Sequence, residues 1–228
     1  MSSAGVLLVF SKPKAGFDED NYNKWYSKFH IQDVVASGLS DLAVRYKNVK
    51  SDAKWPYLCL YRLPDVAKMQ DHAVLGSIPV NHELLPGGGP WQDHLETDMR
   101  VFTLLDKYDG RDSMDGPRGK ALRTVSMEPG EGNDEELNDW YLKEHYEKLS
   151  NVPGYRRSTR YKLADTKNED GYPRFLSLHE FDSVDIPSAS LKATTETEWG
   201  QKIFSSLKSV GLDAWQEIAA TGATETKL

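Results

Sequence analysis

Trp25-Tyr26-Ser27-Lys28-Phe29-His30 and Trp140-Tyr141-Leu142-Lys143-Glu144-His145 are two versions of one phrase, 115 residues apart. A second phrase, Arg45-Tyr46-Lys47, recurs as Arg160-Tyr161-Lys162 at the same offset, so the spacing is kept along with the residues. Self-similarity on this scale marks two copies of one supersecondary unit. At 228 residues the chain has room for two domains of about 100 residues each. The expected division is a first unit at 1–108, a linker at 109–119, a second unit at 120–222 and a tail at 223–228.

The residues around the repeated phrases give each unit its order of elements. Gly5 to Phe10 and Ala121 to Ser126 are runs of strand length, and Asp18-Glu19-Asp20 and Asp134-Glu135-Glu136 put carboxylates where a helix N-terminus favours them. Long first helices are therefore expected at about 18–36 and 134–150. They end at Ser37-Gly38 and Val152-Pro153-Gly154, residues that do not readily continue a helix. Second strands follow at the Arg-Tyr-Lys phrases, and third strands at Tyr57 to Tyr61 and Phe175 to His179. Helical regions are expected from Asp65 to about Leu75, with a short segment at Trp91 to Leu95, and from Ser188 to Ser209; last strands at Met99 to Leu105 and Ala214 to Ala219. Each unit reads β-α-β-β-α-β, the ferredoxin-like order. The main asymmetry is Ser77 to Pro90, ending in Gly87-Gly88-Gly89-Pro90, which has no counterpart in the second half. It lacks the Lys-Ser/Thr of a phosphate loop and reads as a surface loop or a lid.

Side chains four apart share a helix face, which aligns Tyr22, Tyr26, His30 and Val34 in one copy and Leu137, Tyr141, His145 and Leu149 in the other. That face covers the sheet, so His30 and His145 sit among aromatic rings, where a shifted imidazole can act as acid or base near neutrality. Tyr26 and Tyr141 are candidate proton or hydrogen-bond donors from the same stripe. Trp25 and Trp140 read as packing anchors that also suit a planar ligand. Tyr46, Tyr161, His72, His82, Trp91 and His179 complete the candidate binding set. Arg45 and Arg160 alternate with Tyr46 and Tyr161, and are expected on the sheet face away from the helices, in interface salt bridges. The histidines match no metal spacing, and no metal or cofactor is expected.

Charge and cysteine content narrow the partners. A formal net charge of −7 with no Lys/Arg cluster argues against nucleic acid, which leaves a small molecule or another protein. No apolar run approaches the roughly 20 residues of a membrane span. Val6 to Phe10 is too short for a signal-peptide core, and the single cysteine, Cys59, sits in an apolar run as a packed thiol. A cytoplasmic, reducing location is expected.

The phrase acidic-x-x-x-Trp-Tyr-x-x-x-His, followed by a Val-Pro-Gly turn and an Arg-Tyr strand, resembles the EthD-like branch of the dimeric α+β barrel superfamily. The second half matches through Asn138-Asp139-Trp140-Tyr141, Glu144-His145, Val152-Pro153-Gly154-Tyr155 and Arg160-Tyr161; the first half has Ala36-Ser37-Gly38-Leu39 in place of the Val-Pro-Gly turn. The resemblance implies an α+β chain whose tandem ferredoxin-like units close an intramolecular pseudo-dimeric barrel, with a homodimer of such chains as a further expectation. It also implies a cofactor-independent enzyme acting on aromatic or polyketide-like molecules as a cyclase, isomerase, decarboxylase or monooxygenase, with His30 and His145 as its acid-base candidates. The alternative is a non-catalytic small-molecule-binding or interaction barrel.

Overall fold

The computed structural model describes residues 3–110, 118–165, 168 and 170–225. The chain divides into two compact units, Met1–Leu104 together with Glu217–Leu228, and Leu105–Gln216. Most of the expected linker, residues 111–117, and the last three residues of the expected tail lie outside the described residues.

In the first unit, strand β1 (Gly5–Pro13) leads to helix α1 (Glu19–Trp25), a π turn (Tyr26–His30) and α2 (Ile31–Ala36), then to β2 (Leu42–Asn48) and β3 (Tyr57–Leu63). Short helices α3 (His72–Gly76) and α4 (Trp91–His94) precede β4 (Leu95–Asp109). The second unit repeats the order with β5 (Ala121–Pro129), α5 (Asp134–Trp140), a π turn (Tyr141–His145), α6 (Tyr146–Leu149), β6 (Tyr155–Leu163), β7 (Phe175–Phe181), α7 (Ser188–Ala193), α8 (Glu198–Ser206) and β8 (Leu207–Gly222). Within each unit the strands pair antiparallel, in the order β4-β1-β3-β2 in the first and β8-β5-β7-β6 in the second.

The sequence explains why helices cover one face. In β1, Leu7 and Val9 join a core with Tyr22, Trp25, Tyr26, Ile31 and Val34 of the helical segment, while Val6 and Leu8 point the other way and are also buried. Burial on both faces is why this strand reads as an unbroken apolar run instead of alternating. A matching core in the second unit gathers Val125, Met127, Leu137, Trp140, Tyr141 and Leu149. The differing helix ends converge on one solution: Gly38 and Gly154 both adopt φ 76°, the left-handed conformation that glycine reaches without a Cβ clash.

Three expectations are corrected. The first helices are not continuous α-helix, since Ile31 N–H donates to the Tyr26 carbonyl and Tyr146 N–H to that of Tyr141, each five residues back. The helical region expected at 188–209 breaks into α7 and α8, because the Thr194-Thr195 pair disfavours helix and the Thr197 side chain caps a new one by accepting from Gly200 N–H. The last strands are far longer than expected. Charged residues interrupt their apolar pattern, and only the sheet partners β1 and β5 fix their extent. Among the described residues, no helix is long and apolar enough to cross a membrane.

Candidate functional site

Each unit holds a cleft between its π turn and its sheet. An α-helix advances 100° per residue, so residues five apart would point about 140° away from each other. The π turn removes that offset. His30 stacks on Trp25 with ring centroids 4.8 Å apart and meets Tyr26 edge-on at 5.0 Å; His145 stacks on Trp140 at 4.1 Å and meets Tyr141 edge-on at 5.0 Å. Single π turns inside α-helices occur frequently at functional sites.

The first cleft is a cavity of about 310 Å³ whose walls include Leu7, Trp25, Tyr26, His30, Tyr61 and Trp91. Its lining is apolar apart from His30, Gln92, Thr97 and the tyrosine hydroxyls. The loop without a counterpart contributes Ile78 and Val80 to this wall, and Trp91, just beyond it, lies 6.0 Å from His30. His30 is 9% exposed, and its buried Nδ1 has no hydrogen-bond partner among the described residues. Burial, helped by the Arg45 charge, lowers its pKa to about 4, so the imidazole is neutral at pH 7. The Tyr26 hydroxyl accepts a hydrogen bond from Tyr61 at 3.3 Å and lies beside the Cys59 thiol, which burial pushes up to about 12. The phenol is thus occupied beneath the helix, and His30 is the titratable group of the wall that holds no hydrogen bond through Nδ1 among the described residues.

The second cleft, about 210 Å³, is more polar, with Arg123, His145, His179, Lys192, Thr194 and Thr195 on its walls. Here the helix histidine is tied down, since His145 Nδ1 lies 3.1 Å from the Thr194 carbonyl oxygen. Burial lowers its pKa to about 3, against the opposing effect of that hydrogen bond. Tyr141 has its hydroxyl on the Met127 sulfur at 3.9 Å.

The clefts differ most in the sheet row beneath them. In the first unit Leu7 and Ala43 flank Tyr61 across three strands; in the second the corresponding row is Arg123, His179 and Ser158. Of this row the sequence marks only His179 as a candidate; Arg123 and Ser158 carry no such signal, because nothing in one strand's sequence says which residue of another strand it will face.

Other candidates fall elsewhere. Tyr46 and Tyr161 are buried but line neither cleft, since it is Arg45 and Arg160 that project toward the helices, reversing the expected faces. The Arg45 guanidinium sits 4.5 to 4.8 Å from the ring centres of Tyr22, Tyr26 and Tyr57 and donates to Ser27 Oγ at 2.8 Å. Arg160 lies 4.1 Å from the Tyr141 ring centre, donates to Asn138 Oδ1 at 2.7 Å and pairs with Asp106 at 3.2 Å. The aromatic faces and helix acceptors draw both cations under the helix. His72 is exposed on α3, and His82 packs on Phe29 with ring centroids 4.4 Å apart, so neither reaches the cavity. Trp140, fully buried, is packing and not cleft wall, whereas Trp25 is both. No group of three or more His, Cys, Asp or Glu suited to a metal ion occurs among the described residues.

The described residues form a mixed α+β architecture of eight antiparallel strands. It is shared with a Fusobacterium nucleatum protein provisionally named a monooxygenase (TM-score 0.60, 12% identity, 99% of this chain and 98% of that one). An anthrone oxidase-like protein (TM-score 0.59, 13% identity, 99% and 95%) and a mutant chlorite dismutase from Candidatus Nitrospira defluvii (TM-score 0.63, 9% identity, 96% and 92%) share it as well. No family model matches the chain. A curated relative does: core atranone cluster (CAC) protein 1 of Stachybotrys chlorohalonatus is 30% identical over 197 residues, covering 80% of this chain and 84% of that protein, and the chain belongs to its family.

Proposed function

We propose that this protein is a cofactor-independent enzyme of secondary metabolism that moves a proton on an enolisable or phenolic, polyketide-like substrate held in the first cleft. The observation that carries the reading is His30: a buried, neutral imidazole on the wall of a largely apolar cavity, whose Nδ1 has no hydrogen-bond partner among the described residues. Membership of the atranone cluster protein's family supports the metabolic setting, and the flat walls of Trp25, Tyr26 and Trp91 suit a planar substrate. The EthD-like resemblance and the shared strand order support descent of both units from one ferredoxin-like ancestor, with the first unit keeping the open histidine.

In this mechanism the neutral His30 imidazole takes a proton from an acidic C–H or a phenolic O–H, leaving an enolate or phenolate beside the new imidazolium. The apolar walls exclude water and strengthen that ion pair, and the Trp25 ring face stabilises the cation. A free-state pKa of about 4 makes His30 a weak base, but the negative charge forming beside it raises its basicity as the proton moves. The proton then returns to another atom of the substrate, which gives isomerisation or cyclisation with no net redox change.

The test is turnover of a panel of phenolic polyketides, with anthrone included because of the anthrone oxidase-like fold relative. His30→Ala is expected to lower the rate by about 10²- to 10⁴-fold while the far-UV spectrum is kept. A folded His30→Ala protein with the wild-type rate would exclude His30. Wild-type protein that binds the panel tightly without changing it would instead make the chain a carrier.

A further inference from the structure

We propose that the second cleft is a separate binding site for a small planar acid, whose anionic oxygens are held by Arg123 and by a hydrogen bond from His179 Nε2. Nothing in this inference requires the first cleft to be catalytic. The site is a row across three strands: Arg123 of β5 and Ser158 of β6 lie directly opposite His179 of β7. His179 is 3% exposed, lines the cleft, and its Nε2 has no hydrogen-bond partner among the described residues.

A buried hydroxyl chain decides which nitrogen carries the proton. Tyr155 OH lies 2.7 Å from Ser158 Oγ, and Ser158 Oγ lies 2.6 Å from His179 Nδ1. Each hydroxyl has one hydrogen. The buried Tyr155 hydrogen finds an acceptor if Tyr155 donates to Ser158, which leaves Ser158 to donate to Nδ1. Nδ1 is then the acceptor and the neutral ring carries its hydrogen on Nε2. Burial, with the neighbouring His145, Arg123 and Arg160, holds the His179 pKa well below the ordinary range, so this single-proton form persists at neutral pH.

Arg123 supplies the charge. Burial lowers its pKa with no carboxylate acting in the other direction, so it is a half-buried cation whose counter-ion is not among the described residues. Lys192, exposed at the cleft wall, adds a second positive charge. An unsatisfied donor beside an uncompensated cation is costly, and an anionic oxygen satisfies both. At about 210 Å³ the cavity falls below the roughly 300–1,000 Å³ of drug-sized sites, which points to a single-ring acid. Leu7, Tyr61 and Ala43 give the first cleft no comparable cation, so the two sites select different molecules.

The experiment is calorimetric titration of the full chain with benzoate and salicylate, and with uncharged benzamide as control. The acids are expected to bind and benzamide not. Arg123→Gln, at a position that is only half-buried, is expected to weaken the acids by about ten- to a hundredfold. Ser158→Ala is expected to weaken them too and to move the His179 imidazole ¹⁵N shifts, which a purely structural serine would not do. His30→Ala is expected to leave them unchanged. Absence of acid binding at millimolar concentration, equal affinity for benzamide, or an Arg123→Gln protein that binds like wild type would each overturn the proposal.

Discussion

Trp25 and His30 stack with ring centroids 4.8 Å apart although five residues separate them, a contact that a regular α-helix does not permit. Trp140 and His145 repeat it at 4.1 Å. The π turn therefore builds the cleft in both units, and the surroundings of each stack set what that cleft can do.

Trp140 is fully buried and its indole N–H donates to Glu144 at 3.1 Å, while Trp25 shows one side to a cavity. Trp140→Ala is expected to cost about 3–5 kcal/mol, as for other large-to-small aromatic changes in cores. Trp25→Ala, which enlarges an existing cavity, is expected to cost less. Urea unfolding of both variants measures the difference, and equal losses would contradict this contrast.

Acid should destabilise the protein through its buried histidines. His30 and His145 have folded pKa values of about 4 and about 3, below the unfolded value near 6.5. The unfolded chain therefore binds more protons between those limits. The stabilisation is fully present above about pH 6.5 and is lost as pH falls toward the folded values, on the order of 3 kcal/mol for His30. His30→Gln should flatten the fall in unfolding free energy between pH 6.5 and about 4. An NMR titration midpoint for His30 near 6.5 would contradict the assignment.

The two buried arginines should respond differently to Met. Arg160→Met strands Asp106, its ion-pair partner and the acceptor of the Tyr146 hydroxyl, and is expected to cost about 3 kcal/mol. Arg45 is held by three tyrosine rings and Ser27, with no carboxylate partner among the described residues, so Arg45→Met should stay within about 2 kcal/mol of wild type. It should also raise the His30 pKa, because the Arg45 charge helps to depress it. NMR of the His30 ring reads that shift, and a fall would contradict it.

Ile78 and Val80 reach the first cavity from the loop that the second half lacks. Val80→Asp should raise KM for the polyketide panel by about tenfold or more, since a carboxylate in an apolar wall is costly to desolvate. Acid binding in the second cleft should not change. Steady-state kinetics and calorimetry on the same variant separate the effects, and an unchanged KM would remove the loop from the binding wall.

Much of this was readable in the chain alone. Two phrases at one offset gave the repeat, strand-length apolar runs gave β1 and β5, and acidic starts gave the helix N-termini, because these signals are local. The chain also marked His30, His145 and His179, since residue type and helix face are written in sequence. Three things needed the folded molecule. The π turn depends on which carbonyl each N–H finds. The inward turn of Arg45 and Arg160 depends on aromatic faces and helix acceptors from other segments. The difference between the clefts depends on strand register: only when β5, β7 and β6 pair do Arg123, His179 and Ser158 form one row, where β1, β3 and β2 place Leu7, Tyr61 and Ala43. Sequence carried two versions of one phrase, and hydrogen bonds between distant segments decided that the two clefts they line are not equivalent.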